Sequence, residues 1–148
     1  MLNRDEKLKH LISDESYHEA VEIANCNPDR PLCTWYVEIL NKTLKELSNF
    51  DLIRCIRQKS FTNQIVFEII QRMSEGNTPL YADVDTVELM EKLSSIDAEV
   101  LKEYRPVLTK LFDNMIEANL IDKAEIWMYD EEKEEYMNYV NKIRQKIS

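Results

Sequence analysis

A chain of 148 residues with 44% hydrophobic content is the size of one domain and apolar enough to build a core. A single glycine, Gly76, and four prolines are too few for the turn-dense construction of sandwiches and barrels, so the expectation is an all-α fold. It would be a compact single-domain bundle of about six or seven helices over residues 1–148. The net charge of −9 repels nucleic acid and anionic membrane and argues against both as partners, while it speeds encounter with a basic protein. Ordinary solubilising charge would give the same total.

Met1 to Lys7 runs straight into charged sequence with no apolar core of a secretory signal. Nor does any stretch approach the roughly 20 apolar residues that cross a bilayer, so a cytoplasmic protein is expected. Cys26, Cys33 and Cys55 are odd in number and lack zinc-type spacing, which fits reduced thiols. Ser16 and Glu19 stand at capping-box spacing, and Tyr17, Ala20, Val21 and Ala24 follow in helical register, predicting a short helix that ends before Pro28. Asn27-Pro28-Asp29-Arg30-Pro31 reads as a turn. Beyond it Leu32, Trp35, Tyr36, Ile39 and Leu40 fit a helix with Pro31 in first position. Trp35, Val37 and Ile39 also alternate as in a strand, but no partner strand is evident and the helix is preferred.

Two further cap spacings follow, Thr43 with Glu46 and Ser48 with Asp51. After the second, Leu52, Ile53 and Ile56 form one apolar stripe, while Arg54, Arg57 and Gln58 project another way. Thr62 is the predicted cap of a run carrying Ile65, Ile69, Ile70 and Met73 on one side, closed by Gly76-Asn77-Thr78-Pro79. Asp85 and Glu88 open the next helix, with Leu89, Leu93 and Ile96 inward and Asp85, Glu88, Glu91 and Lys92 outward. Pro106 opens another, in which Leu108, Leu111, Phe112 and Met115 make a core stripe. From Asp122 onward, Tyr129, Tyr136, Val140, Ile143 and Ile147 predict one long C-terminal helix packed along a single seam.

The block Trp35-Tyr36-Val37-Glu38-Ile39-Leu40-Asn41, followed by Asp51-Leu52-Ile53-Arg54-Cys55-Ile56-Arg57-Gln58, resembles the immunity proteins of bacterial contact-dependent growth inhibition systems. The resemblance runs from about Trp35 to about Met90, and Asn77-Thr78-Pro79-Leu80-Tyr81 through Glu88-Leu89 looks like the family's second segment. There the family tends to carry glycines where this chain has Ala82 and Val87. The resemblance implies a small cytoplasmic protein that binds and neutralises the C-terminal toxin domain of its own system. Such toxins are often nucleases, and an acidic inhibitor suits a cationic nuclease, one acting on RNA in the first place.

Catalytic and metal chemistry find little support. Glu15-Ser16-Tyr17-His18 is one Glu-x-x-His motif where a di-iron bundle needs two, and His10 and His18 are the only histidines. Neither a metal nor any other cofactor is expected. Cys55 between Arg54 and Arg57 could be an activated thiol, but its place beside Leu52 and Ile56 favours packing. A chain with one glycine has no room for phosphate loops or nucleophile elbows, so no enzyme is expected. Arg54, Arg57 and Gln58 are read first as intramolecular partners of the acidic half.

The acidic excess lies in residues 61–148, which hold eighteen acidic and ten basic side chains. Two clusters are the candidate toxin-binding residues: Asp83, Asp85, Glu88 and Glu91, and Asp130, Glu131, Glu134 and Glu135. Tyr81 and Tyr129 adjoin them. The competing reading is a helical regulatory or scaffold protein that binds an unrelated basic partner, and behind it a small enzyme of unfamiliar chemistry.

Overall fold

The computed structural model describes residues 3–75, 86–123, 127 and 129–148. Among these residues the chain forms nine α-helices and no strand, so the fold is all-α. It groups into two compact units, Met1–Asp51 and Leu52–Ser148.

In the first unit a 3-10 turn, Leu8–Leu11, precedes α1 (Asp14–Cys26) and α2 (Pro31–Leu40), and a second 3-10 turn spans Leu44–Glu46. The cap of α1 is Ser13, whose hydroxyl accepts the Ser16 N–H at 3.0 Å. Ser16 therefore lies inside the first turn and does not cap it. Extended backbone at Ser13, followed by Asp14 and Glu15 in the first turn, suits both the orphan amides and the helix dipole. Pro31 occupies the start of α2, which buries Trp35, Ile39 and Leu40, so the strand alternative falls. Leu32, expected on the inner face, stays 43% exposed.

Thr43 and Glu46 form a reciprocal box: the Glu46 N–H donates to Thr43 Oγ1 at 3.3 Å and the Thr43 N–H to Glu46 Oε1 at 3.0 Å. It encloses only one 3-10 turn, because Leu47 is already extended and Ser48 begins the next cap. The N-terminal segment is tied to this corner by an antiparallel bridge between Lys7 and Thr43, where the Leu8 N–H donates to the Lys42 carbonyl at 3.0 Å. Leu8 is fully buried.

Helix α3 (Asn49–Arg57) contains the boundary between the units. It ends in a Schellman motif, in which the Lys59 N–H reaches the Ile56 carbonyl at 3.1 Å and the Ser60 N–H reaches the Cys55 carbonyl at 2.9 Å. The motif needs a left-handed residue, and Lys59 supplies it at φ 55° where glycine would be easiest. Phe61 is also left-handed, at φ 54°.

The second unit continues with α4 (Thr62–Glu75), α5 (Thr86–Ser94), α6 (Ala98–Lys102), α7 (Arg105–Glu117), α8 (Leu120–Lys123) and α9 (Asp130–Ile147). Thr62 is the first residue of α4 and not its cap, since Phe61 takes the flanking position. Ile65, Ile69, Ile70 and Met73 are buried along α4 as the periodicity requires. The turn expected at Gly76-Asn77-Thr78-Pro79 lies outside the described residues. Leu89, Leu93 and Ile96 point inward. Helix α6 has only five residues, too few for a periodic signal, and was not foreseen. In α7, Leu108, Phe112 and Met115 are buried while Leu111 is half-buried, so the core stripe is narrower than expected.

The C-terminal helix does not run from Asp122. Asn119 turns left-handed at φ 54° after α7, α8 makes a single turn, and α9 begins at Asp130. Tyr129 is its extended flanking residue, 63% exposed and off the seam. Asp130, Glu131 and Glu132 occupy the first turn of α9, where negative charge complements the amide dipoles. Tyr136, Val140, Ile143 and Ile147 then form the buried seam, and α9 packs against α5, α6 and α7. Lys146 Nζ donates to the Ser94 and Ile96 carbonyls at 2.5 and 2.8 Å, closing the C-terminal end of α5. No helix of the described residues is long and apolar enough to cross a membrane.

Candidate partner-binding surface

The part of the resembling segment that lies in the first unit closes a hydrogen-bond network around Asp51. In the first unit, the buried Asp51 carboxylate accepts the Trp35 indole N–H at 2.9 Å, the Ser48 N–H at 3.0 Å and Lys42 Nζ at 3.4 Å. The Asp51 N–H donates back to Ser48 Oγ at 3.1 Å. Asp51 thus completes the cap of α3 in the manner of the usual glutamate, its shorter reach matched to Ser48. Burial pushes the Asp51 carboxyl upward, but the indole, the Ser48 amide and the Lys42 cation outweigh it and hold the group below its ordinary value. Every bond of this carboxylate is used internally. It is no docking group.

Cys55 is fully buried in the second unit, a setting that suits a packed thiol. Arg57 Nη2 pairs with Glu88 Oε1 at 3.5 Å, the intramolecular use expected of the arginine face. Among the described residues no group of three His, Cys, Asp or Glu side chains is placed to hold a metal ion.

Of the eight candidate carboxylates, Asp83 and Asp85 lie outside the described residues, as does Tyr81. Glu88 is half-buried and held by Arg57, which makes it the least available of the rest. Glu91 is exposed on α5, and Asp130, Glu131, Glu134 and Glu135 are exposed over the first turns of α9. Packing of α5 on α9 brings Glu91 and Glu135 to bear on one phenol: Tyr139 is pushed above its ordinary value by burial and then by the charges of both. The seam of α9 fixes where the remaining acids go. Glu131 and Glu134 crown the face opposite Tyr136 and Val140, while Asp130 and Glu134 border a groove toward α7 and α8. Glu91, Asp130, Glu131, Glu134 and Glu135 have no ion-pair partner among the described residues.

Sequence reasoning passed over the groove, because it is assembled from single faces of three successive helices whose packing no local pattern specifies. It also passed over Glu68 and Arg72. These are buried on α4 and joined at 2.7 Å, four residues apart, a spacing visible in the sequence but carried by residue types that ordinarily read as solvated.

The family model of CDI immunity proteins matches residues 16–111 of this chain. Searches of curated proteins and of solved structures found no match.

Proposed function

We propose that this chain, which belongs to the CDI immunity proteins, neutralises its toxin by stoichiometric binding in the cytoplasm, with a cationic nuclease domain as the target and RNA as that nuclease's substrate. Membership in the family implies toxin neutralisation; the charge of the second unit supports the finer reading. The observation that carries it is α9, whose first turns expose Asp130, Glu131, Glu134 and Glu135 without a counter-ion among the described residues. Glu91, exposed on the neighbouring α5, adds to the same field. A nuclease surface shaped for phosphate is complementary to such a field, and occluding that surface blocks the substrate without any chemistry by the inhibitor. Asp83 and Asp85 remain part of the proposed contact set beside Glu88 and Glu91.

The test is stopped-flow association with the toxin domain encoded immediately upstream, across an ionic-strength series. Association slows steeply with salt while dissociation changes little. Lysine at Glu131, Glu134 and Glu135 lowers the association rate more than lysine at Glu88 and Glu91, because Glu88 is already tied to Arg57. Binding untouched by either set would remove the electrostatic reading.

A further inference from the structure

The groove between α7, α8 and α9 has a volume of about 400 Å³. Its floor is apolar, formed by Met115, Ile116, Ile121 and Met137. Ile116 is 45% exposed at the edge, so the floor is open to a visitor. Around it stand Asp122, Asp130 and Glu134, with Lys133 beside them. Lys133 Nζ lies 3.5 Å from Asp122 Oδ1, so that cation and that carboxylate offset each other. Asp130 and Glu134 have no ion-pair partner among the described residues. They stand four residues apart, on one face of α9, above the methionine floor.

A flat acidic patch attracts any cation. This site asks for more: an aliphatic stem three or four carbons long to cover thioether and isoleucine surface, and a charged head broad enough to meet two carboxylates together. Arginine fits those demands, since its planar head spans two acceptors and is more weakly hydrated than an ammonium. Methionine floors accommodate such stems without a rigid shape requirement.

We infer that this groove is the seat of one arginine side chain of the toxin, its stem on Met137 and Ile116 and its guanidinium between Asp130 and Glu134. The inference rests on the reading of the chain as an inhibitor of a basic toxin and turns a diffuse acidic face into one anchoring point. An arginine held by apolar and charged contacts together is the kind of residue that dominates an interface.

Two measurements test it separately from that reading. The first titrates the whole protein, methyl-labelled at its six methionines, with Nα-acetyl-arginine amide. Met115 and Met137 methyl signals should shift saturably while Met73 and Met90 stay still, and the Asp130→Asn/Glu134→Gln protein should lose the response. No saturable shift, a shift that survives the double variant, or an equal response to Nα-acetyl-lysine amide overturns the assignment. The second measures affinity for the upstream-encoded toxin domain. Ile116→Trp fills the groove from an exposed position, and Glu134→Lys places a competing cation in it; each should weaken binding tenfold or more, whereas Lys102→Glu on α6 should not. Full affinity in Ile116→Trp and Glu134→Lys overturns the groove and leaves the immunity reading standing. Failure of the unaltered chain to bind overturns the immunity reading, and the arginine amide titration then decides the groove by itself.

Discussion

Replacing Asp51 by alanine should be the most damaging single change in the first unit. Its carboxylate meets donors at 2.9, 3.0 and 3.4 Å from Trp35, Ser48 and Lys42. A hydrogen bond to a charged group contributes about 1.5–3 kcal/mol, and a buried donor stripped of its acceptor costs about 1–3 kcal/mol. The long Lys42 contact, 39% exposed on the lysine side, contributes at the low end. The α3 cap overlaps with the Ser48 bond and is not counted twice, so Asp51→Ala should lose about 3–4 kcal/mol. Asp51→Asn keeps one acceptor oxygen and should lose about 1–2 kcal/mol. Urea unfolding followed by far-ultraviolet circular dichroism gives both values, and a cycle with Trp35→Phe should show coupling of at least about 1 kcal/mol. The pH dependence has a definite sign. Because the folded carboxyl sits below its ordinary value, its contribution is complete above the unfolded value near pH 4 and disappears as pH falls through the folded one. The deficit of Asp51→Asn should therefore shrink on acidification. Additive effects of Trp35→Phe and Asp51→Ala, or a deficit that grows below pH 4, would refute the reasoning.

Lys59→Gly relieves a left-handed lysine at the C-terminal end of α3 and should raise stability by about 0.5–1 kcal/mol, read as a higher urea midpoint. Cys55→Ala removes a small buried group and should cost about 1 kcal/mol while toxin neutralisation in co-expressing cells is unchanged; loss of protection by the folded variant would point to chemistry at the thiol. Arg72→Met takes the guanidinium from the buried Glu68 carboxylate and should cost about 3 kcal/mol, read as a fall in the thermal midpoint; an unchanged midpoint would refute the pairing as a stabilising contact.

Much of the helical architecture could be read from the residues. The stripe Leu108, Phe112, Met115 and the seam Tyr136, Val140, Ile143, Ile147 lie where helical periodicity puts them. Pro31 marked its helix start, and Ser48 with Asp51 marked theirs, because caps and prolines act through local backbone chemistry. The errors occur where local signals compete. Ser13 and Ser16 are both plausible caps three residues apart, and Ser13 takes the role, its hydroxyl accepting the Ser16 N–H. Thr43 and Ser48 are five residues apart, which leaves space for one turn and no helix. Tyr129 matches the seam by spacing alone, but it sits one residue before α9 begins. The acidic face was legible as composition. The groove was not, since Met115, Ile121 and Met137 meet only after three helices pack.

The central claim is one-to-one neutralisation of a single cognate toxin, and its most direct measurement titrates the upstream-encoded toxin domain with this chain while following cleavage of RNA. Activity should fall linearly and reach zero at one equivalent, and the toxin domain of an unrelated system should keep its full activity at any ratio. Undiminished cleavage at excess of this chain, or equal inhibition of both toxins, would contradict the account.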